Sequence, residues 1–167
     1  NFIEDFSVSK AETKQRWNNI KNSHVVIIGL GAVGSWVSAL LVQNGVKELT
    51  LIDNDTVDIT NLHRQFGFEE NDIGLLKTDV IERRLKEFNN SVKVNKINKF
   101  LDEHLLSEEI NYKVDLIINC ADKPNVDTTS LWVGEYCMKN NIPHIIGGGY
   151  NLHLSLIGQT IVPFESA

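Results

Sequence analysis

Short apolar runs recur along the chain, and the longer stretches between them carry apolar residues at every third or fourth position. Four of the runs are rich in Val, Ile and Leu and have the length of strands. These predicted strands are His24 to Ile28, Glu48 to Asp53, Val114 to Cys120 and Ile142 to Ile146. Ser91 to Ile97 alternates apolar and polar residues, which predicts a further, half-exposed strand.

The stretches between the runs have helical periodicity. The predicted helices span about Ala11 to Ile20, Val33 to Asn44, Asn71 to Phe88, Asp102 to Ile110 and Val126 to Asn140. In the helix from Asn71, the apolar face includes Leu76 and Phe88, and Lys77 lies off that face near the helix start. Leu154 to Val162 alternates and predicts a last strand, antiparallel at the far end of the sheet.

The turn after the first strand has the spacing G-x-G-x-x-G, with Gly29, Gly31 and Gly34. Between a strand and a helix, the first glycine permits a tight turn and the second lets backbone N–H groups approach a phosphate. The third glycine lets the helix pack against the strand. Asp53 ends the next strand, about 20 residues further on, where such folds place the acid that binds a ribose. This stretch therefore predicts a nucleotide site.

Strands and helices alternate along most of the chain, so we predict an α/β fold. The glycine turn makes it Rossmann-like: a doubly wound sheet, mostly parallel, with an antiparallel strand at the C-terminal end. Residues 1–22 are predicted to form an N-terminal helical segment that covers the sheet edge. Residues 23–167 are predicted to form the nucleotide-binding domain, and we expect the chain to be a fragment of a longer protein.

A polar loop after the second strand indicates which nucleotide binds. Asp55, Asn61, Arg64 and Gln65 follow the strand closely, and Lys77 lies on the next helix. Ligands of open α/β sheets bind outside the carboxyl ends of the strands, where this loop begins. A dinucleotide needs few cations beyond the glycine turn, whereas a triphosphate needs several charged donors. The loop therefore favours a triphosphate over a dinucleotide.

Composition and net charge argue against several classes of function. The chain has 167 residues, 42% of them apolar, and a formal net charge of −6, so it is large enough for one domain with a core. The negative charge argues against sequence-independent binding to nucleic acid or to an anionic membrane surface. No apolar run is long enough to span a membrane, and we expect a cytoplasmic protein. The only cysteines, Cys120 and Cys137, suit small buried side chains better than a zinc site.

Three segments together resemble the ThiF/MoeB/HesA family of adenylating domains, which are related to ubiquitin-activating enzymes. They are Asp53 to Val57, Thr60 to Gln65 and Gly74 to Lys77, which match D-x-D-x-V, [ST]-N-L-x-R-Q and G-x-x-K in order. The resemblance covers roughly Lys21 to Pro163. Within the family the chain is most similar to the adenylyltransferases of microcin C maturation, on the basis of Asn1-Phe2, Ala121-Asp122 and Gly149-Tyr150-Asn151.

The resemblance implies ATP-dependent adenylation of a carboxylate, with release of pyrophosphate. It implies catalytic roles for Arg64, Lys77 and Asp122, and Asp122 as the acid that holds Mg²⁺. It also implies a set of residues that bind the nucleotide: Gly29, Gly31, Gly34, Asp53, Asp55, Asn61 and Gln65. In much of the family two cysteine pairs bind zinc beyond the last strand. The chain has neither pair, so no zinc is expected.

The same resemblance implies the partners. The acceptor is expected to be the free C-terminus of a small ubiquitin-like protein or of a short peptide, and the protein is expected to be a homodimer. Three alternatives stay open. One is a dehydratase of the same fold that modifies threonylcarbamoyladenosine in tRNA, which the acidic balance disfavours. Another is an NAD-dependent oxidoreductase, which leaves Arg64, Gln65 and Lys77 without a role. The last is an inactive scaffold subunit.

Overall fold

A six-stranded sheet forms the centre of the protein, with strand order β3-β2-β1-β4-β5-β8 in the computed structural model. The structure describes residues 2–147, 150, 151, 154, 155 and 159–163. The strands are β1 (His24–Ile28), β2 (Glu48–Ile52), β3 (Lys93–Ile97), β4 (Leu116–Asn119), β5 (His144–Ile146), β6 (Tyr150–Asn151), β7 (Leu154–Ser155) and β8 (Gln159–Ile161). The helices are α1 (Phe2–Asp5), α2 (Lys10–Asn22), α3 (Ala32–Gln43), α4 (Lys77–Phe88), α5 (Leu105–Glu109) and α6 (Val126–Asn140).

The sheet confirms the predicted Rossmann-like fold. β1 to β5 run parallel, with β1 paired to β2 from His24 opposite Glu48 to Ile28 opposite Ile52. β8 joins β5 antiparallel at the edge. The single predicted strand from Leu154 to Val162 is two strands instead, because β7 pairs with β6 in a separate two-stranded sheet. Gly149, which begins one of the stretches that carry the resemblance to the microcin C adenylyltransferases, lies outside the described residues.

Helices cover both faces of the sheet, as the doubly wound prediction requires. Alternate residues of β1 point to opposite faces, and both faces are buried. Val25 and Ile27 pack in one core with residues of α3 and α4. Val26 and Ile28 pack in a second core with residues of α5 and α6. The continuous apolar run of β1 therefore reflects a central parallel strand with no solvent-facing side.

α4 begins later than the sequence pattern predicts. The helix starts at Lys77, and the predicted start near Asn71 is wrong. Glu70–Asp72 forms a 3₁₀ turn, and Gly74 then has a φ of +89°, which breaks the helical rotation. Phe88, predicted for the apolar face, is 44% exposed.

The loop between β2 and α4 is closed at its base by backbone hydrogen bonds. Thr56 forms an antiparallel bridge with Leu76. The Val57 N–H donates to the Leu75 carbonyl at 2.8 Å, and the Gly74 N–H donates to the Val57 carbonyl at 2.9 Å. These bonds replace the helical bonds that residues 73–76 would otherwise make. These bonds therefore hold the two ends of the loop together beside the carboxyl end of β2.

The N-terminal segment forms α1 and α2. α2 is longer than predicted at both ends, and Ser9 caps its start by accepting a hydrogen bond from the Glu12 N–H at 3.2 Å. Ile20 packs against the core that contains α3 and α4. The division of the chain after residue 22 stays a prediction. Within the described residues, no helix is long and apolar enough to cross a membrane.

Candidate functional site

A cleft of about 370 Å³ opens at the carboxyl ends of the parallel strands, where the strand order reverses between β1 and β4. Such a position is the usual ligand site of an open α/β sheet. The cleft is lined by the ends of four strands and by the loop after β2. Its polar and glycine residues are Gly29, Gly31, Asp53, Asp55, Asn61, Arg64, Gln65, Lys77, Lys99, Asp122 and Lys123. The structure thus brings together every predicted site residue except Gly34.

A larger hollow, of about 640 Å³, lies at the opposite edge of the sheet around His24 and Tyr112. Its polar groups bind one another. The rings of His24 and Tyr112 stack with centroids 5.1 Å apart, and His24 Nε2 lies 2.8 Å from Thr50 Oγ1. Glu48 forms an ion pair with Lys93 at 2.5 Å. The cleft at the carboxyl ends is the candidate site because it holds the glycine turn and the predicted polar residues.

The glycine turn fits a close approach of backbone to ligand. Gly29 has a φ of +84°, and a Cβ there would lie 2.8 Å from the backbone of Cys120 and Ala121. A Cβ on Gly34 would lie 1.8 Å from the Gly29 carbonyl oxygen, so α3 packs directly onto the turn. Gly31, the N-cap of α3, lines the cleft itself. Free N–H groups at this helix start offer an anion site.

Asp53 stands at the end of β2 with both carboxylate oxygens anchored. Oδ2 accepts the Leu30 N–H at 2.6 Å, and Oδ1 accepts the Asp55 N–H at 2.7 Å. Burial raises the pKa of Asp53 above its ordinary value, against the effect of these two hydrogen bonds and of the Lys77 charge. Each oxygen can accept a further hydrogen bond, and Asp53 lines the cleft, which suits a pair of ribose hydroxyls.

Asp55 holds two lysines from different elements. Lys77 Nζ lies 3.1 Å from Oδ2, and Lys123 Nζ lies 3.1 Å from Oδ1 and 3.2 Å from Oδ2. Desolvation acts to raise the pKa of Asp55, but hydrogen bonds from Lys123 and Lys77 and their charges outweigh it and lower the pKa. The Asp55 carbonyl also accepts the Lys77 N–H at 3.0 Å, which fixes the start of α4 at the cleft.

Burial makes Lys77 unusual. Its side chain is 5% exposed, whereas a lysine ammonium normally stays in water. At the first position of α4 it also faces the positive end of the helix dipole. Asp55 supplies the compensating negative charge in the structure. A phosphate in the cleft would add to it.

Residues 58–65 form a short, rigid turn. Asp58 caps the 3₁₀ helix Ile59–Asn61 by accepting the Thr60 N–H at 2.8 Å. Asn61 Oδ1 accepts the Asp58 N–H at 3.1 Å, which leaves the Asn61 amide NH₂ as the donor side. Arg64 is exposed at the cleft, and its Nη1 donates to the Thr60 carbonyl at 2.5 Å. His63, next to Arg64, is also exposed.

Gln65 faces the glycine turn from the opposite wall. Its Nε2 would lie 3.7 Å from a Cβ placed on Gly31. Its Oε1 is buried and has no hydrogen-bond partner within the part of the chain that the structure describes. An unsatisfied buried amide at a cleft wall is the type of group that a bound ligand completes. Gln65 therefore fits a nucleotide seated on the turn.

Asp122 follows β4 and lies exposed on the cleft wall. Among residues 2–147 and the described C-terminal positions, no group of three or more His, Cys, Asp or Glu side chains could hold a metal ion. Mg²⁺ usually keeps several waters and binds one or two carboxylates together with substrate phosphates. A single carboxylate beside a phosphate site fits that mode.

The lining residues that were not predicted as site residues include Lys99, Phe100, Leu101 and Lys123. Lys99 to Leu101 come shortly after β3, and Lys123 shortly after β4. The rule that the carboxyl ends of parallel strands share one edge could have found them. Burial raises the pKa of Cys120 and Cys137 to about 12, so neither thiol supplies a nucleophile at neutral pH.

The amino-acid sequence is similar to those of known proteins. A model of the ThiF family matches residues 6–162. The tRNA threonylcarbamoyladenosine dehydratase of Haemophilus influenzae is 36% identical over 142 residues, which are 85% of this chain and 53% of that protein. Adenylyltransferase and sulfurtransferase MOCS3 of Dictyostelium discoideum is 36% identical over 127 residues, which are 75% of this chain and 29% of that protein. The chain spans about half the length of the dehydratases it matches.

Solved structures give the same picture. The E. coli MccB structure with MccA-N7isoASN superposes with a TM-score of 0.83 at 35% identity, over 92% of this chain and 44% of that chain. MccB with ATP gives 0.82 at 35% identity, over 92% and 45%. The E. coli dehydratase TcdA with ATP gives 0.73 at 25% identity, over 83% and 60%. The predicted resemblance is confirmed.

Proposed function

The chain belongs to the ThiF family, and from that premise we propose that it adenylates the C-terminal carboxylate of a peptide or of a small ubiquitin-like protein. A carboxylate oxygen attacks the α-phosphorus of ATP, the bond from that phosphorus to the bridging oxygen breaks, and pyrophosphate leaves. The observation that carries the proposal is the cleft itself. One space holds the glycine turn, Asp53 and the buried Lys77 ammonium.

This reaction asks the protein for positioning and charge neutralisation rather than for a covalent step. The cleft supplies those two things. Gly31 and the start of α3 receive the α-phosphate, Gly29 and Gly34 shape that turn, and Asp53 binds the ribose hydroxyls. The protonated thiol of Cys120 takes no part.

The cations and amides act on the phosphates. Lys77, at the start of α4, binds the outer phosphates, and Arg64 stabilises charge that develops on the α-phosphate. Asn61 and Gln65 orient the phosphates through their amide groups. Asp55 holds Lys77 in place.

Asp122 is the residue that would hold Mg²⁺. The ion, when bound, neutralises phosphate charge and orients the triphosphate. Asp122 stands at the end of the strand beside β1, so its carboxylate faces the same space as the glycine turn.

The peptide acceptor is supported by the extent of the structural match. The E. coli MccB structures with MccA-N7isoASN and with AMPCPP and MccA superpose over 92% of this chain, and the TcdA structure superposes over 83%. A protein acceptor is supported by the relatives that include SUMO-activating enzyme subunit 2 of Dictyostelium discoideum, which is 27% identical over 152 residues.

A homodimer is supported by an exposed apolar face on α3. Val33, Trp36 and Leu40 recur at helical spacing and are 44%, 50% and 50% exposed. The ring of Trp36 stacks on Phe66 with centroids 4.0 Å apart, so the exposed surface continues onto the site loop. A contiguous exposed apolar patch often marks a protein–protein interface. We propose that a second copy of the chain covers it.

The test is acceptor-dependent exchange between ATP and labelled pyrophosphate. The unaltered chain, supplied with MccA peptide as the probe, should exchange label, and MccA with an amidated C-terminus should not. Arg64→Ala and Lys77→Ala should reduce exchange at least about 100-fold, since each removes charge stabilisation from the phosphates. Lys93→Ala, at the opposite edge of the sheet, is the matched control. Exchange that persists in both site variants would refute the assignment.

A second candidate function is favoured by the dehydratase relatives. The Haemophilus influenzae dehydratase is 36% identical over 85% of the chain, whereas MOCS3 of Dictyostelium discoideum covers 75% at the same identity. The net charge of −6 weighs against tRNA as the substrate. Pyrophosphate release that depends on added tRNA, together with a tRNA gel shift, would select the dehydratase. Release that depends on the peptide would select the carboxylate.

A further inference from the structure

Lys123 and Lys77 share the Asp55 carboxylate, but they are held very differently. The Lys77 side chain is 5% exposed and lies at the start of α4, at the wall of the cleft. The Lys123 side chain is 64% exposed and comes from the loop after β4. An ion pair between exposed groups is weak, because water competes for both charges. Lys123 can therefore exchange Asp55 for another anion, whereas the buried Lys77 stays paired with Asp55.

The second contact of Lys123 is also weak. Its Nζ lies 5.5 Å from the centroid of the Phe100 ring, and Phe100 is 53% exposed. A cation over an exposed aromatic face adds little attraction. These two contacts place the ammonium at the mouth of the cleft, between the ends of β2 and β3 and next to Asp122. A triphosphate that enters the cleft meets this ammonium at short range.

The charge balance of the cleft depends on Lys123. Three carboxylates line the described part of the cleft: Asp53, Asp55 and Asp122. Of the lining cations, Lys99 is already paired with Glu109, which does not line the cleft, at 2.5 Å. Without Lys123, the three carboxylates would face only Arg64 and Lys77. A cleft with excess negative charge repels a polyanionic ligand.

We propose that Lys123 is a triphosphate-binding residue of this site, which leaves Asp55 when ATP enters and pairs with the outer phosphates. Asp55 stays neutralised by Lys77 during the exchange. Lys123 thereby makes the cleft select ATP over AMP and holds the pyrophosphate as it departs. This proposal rests on the proposed function, since it requires ATP in the cleft.

The experiment compares nucleotide affinities by calorimetry in the presence of Mg²⁺. ATP, ADP and AMP are titrated into the unaltered chain, Lys123→Met, Lys123→Arg and Lys113→Met. Lys113 is the matched control, because it is another exposed lysine in an ion pair, 3.0 Å from Asp115 at the opposite edge of the sheet. Thermal unfolding of each variant verifies the fold. Lys123→Met should bind ATP about ten-fold more weakly and AMP with unchanged affinity, since one charged contact to phosphate is lost. Lys123→Arg should retain most of the ATP affinity.

The outcomes separate the two proposals. Equal affinities in Lys123→Met and the unaltered chain would overturn the role of Lys123, as would equal losses for ATP and AMP. The same loss in Lys113→Met would overturn it too, because the effect would then be one of total charge. If the unaltered chain binds no ATP, the proposed function itself fails. A selective loss of ATP affinity in Lys123→Met alone supports the proposal.

Discussion

The Gly34→Ala substitution tests whether α3 packs onto the glycine turn as closely as the structure shows. A Cβ at Gly34 would lie 1.8 Å from the Gly29 oxygen and 2.9 Å from the Gly29 carbonyl carbon. Neither atom belongs to a flexible side chain, so the helix itself has to retreat. Overpacking of this kind costs about 1–3 kcal/mol, and occasionally more. With a backbone carbonyl as the obstacle, we expect a loss of about 3 kcal/mol, at the upper end of that range.

The assay is thermal unfolding of Gly34→Ala beside Gly31→Ala as its matched control. A loss of about 3 kcal/mol lowers Tm by about 6–12 °C in a protein of this size. A Cβ at Gly31 would meet nothing nearer than Gln65 Nε2 at 3.7 Å, and the Gly31 φ of −74° is open to alanine. Gly31→Ala should therefore unfold within about 4 °C of the unaltered chain, with about 1 kcal/mol lost at the N-cap. Equal Tm values for the two variants would refute the packing argument.

Two further outcomes are expected. Leu40→Glu places a charge on the exposed apolar face of α3 and should convert the proposed dimer to monomer in sedimentation experiments, whereas an unaltered molecular mass would exclude this face as the interface. Asp55→Asn removes a carboxylate whose pKa is lowered by Lys123 and Lys77, against the effect of desolvation. The ionised carboxylate therefore stabilises the fold at pH values above its ordinary pKa of 3.8, and this stabilisation is lost as the pH falls through the lowered pKa. Urea unfolding should show Asp55→Asn less stable than the unaltered chain at pH 7, with the gap closing in acid; a gap independent of pH would contradict the ionic origin.

The first half of the nucleotide fold is predictable because its signals are local. The run of β-branched residues in His24–Ile28 acts on its immediate neighbours, and so does Gly45, whose φ of +98° ends α3. The strand bounds therefore agree with the structure within one residue for β1 and β2. The resemblance to the ThiF family adds the identity of the site loop, which periodicity alone does not give.

The start of α4 is not predictable from the same signals because a distant contact decides it. Residues 71–76 continue the helical periodicity of apolar residues. Leu76 nevertheless pairs with Thr56, and the Lys77 N–H donates to the Asp55 carbonyl. Both partners lie about 20 residues earlier in the chain. Helical periodicity carries no information about such a partner.

Side-chain partners in the cleft are unpredictable for the same reason. Lys123 and Asp55 are 68 positions apart and meet only because β4 and β2 flank β1 in the sheet. The sequence also predicts that Asn61 faces a phosphate, but it does not reveal that the Asn61 oxygen is already used as a cap for the Asp58 N–H. Residue types indicate which chemistry is possible, and the order of the strands in the sheet decides which side chains lie in the same site.

The closed base of the loop between Thr56 and Leu76 makes the site modular. The bridge and the bonds of Val57 and Gly74 fix where the loop leaves and rejoins the sheet, whatever lies between. Asn61, Arg64 and Gln65 line the cleft and have to keep their places, but the part of the loop beyond Gln65 is less constrained. The cost of closing a loop rises only slowly with its length, so this later part can lengthen while Asp55 and Lys77 stay in register. Relatives can thus share one nucleotide cleft and differ in the part of the loop between Gln65 and Gly74.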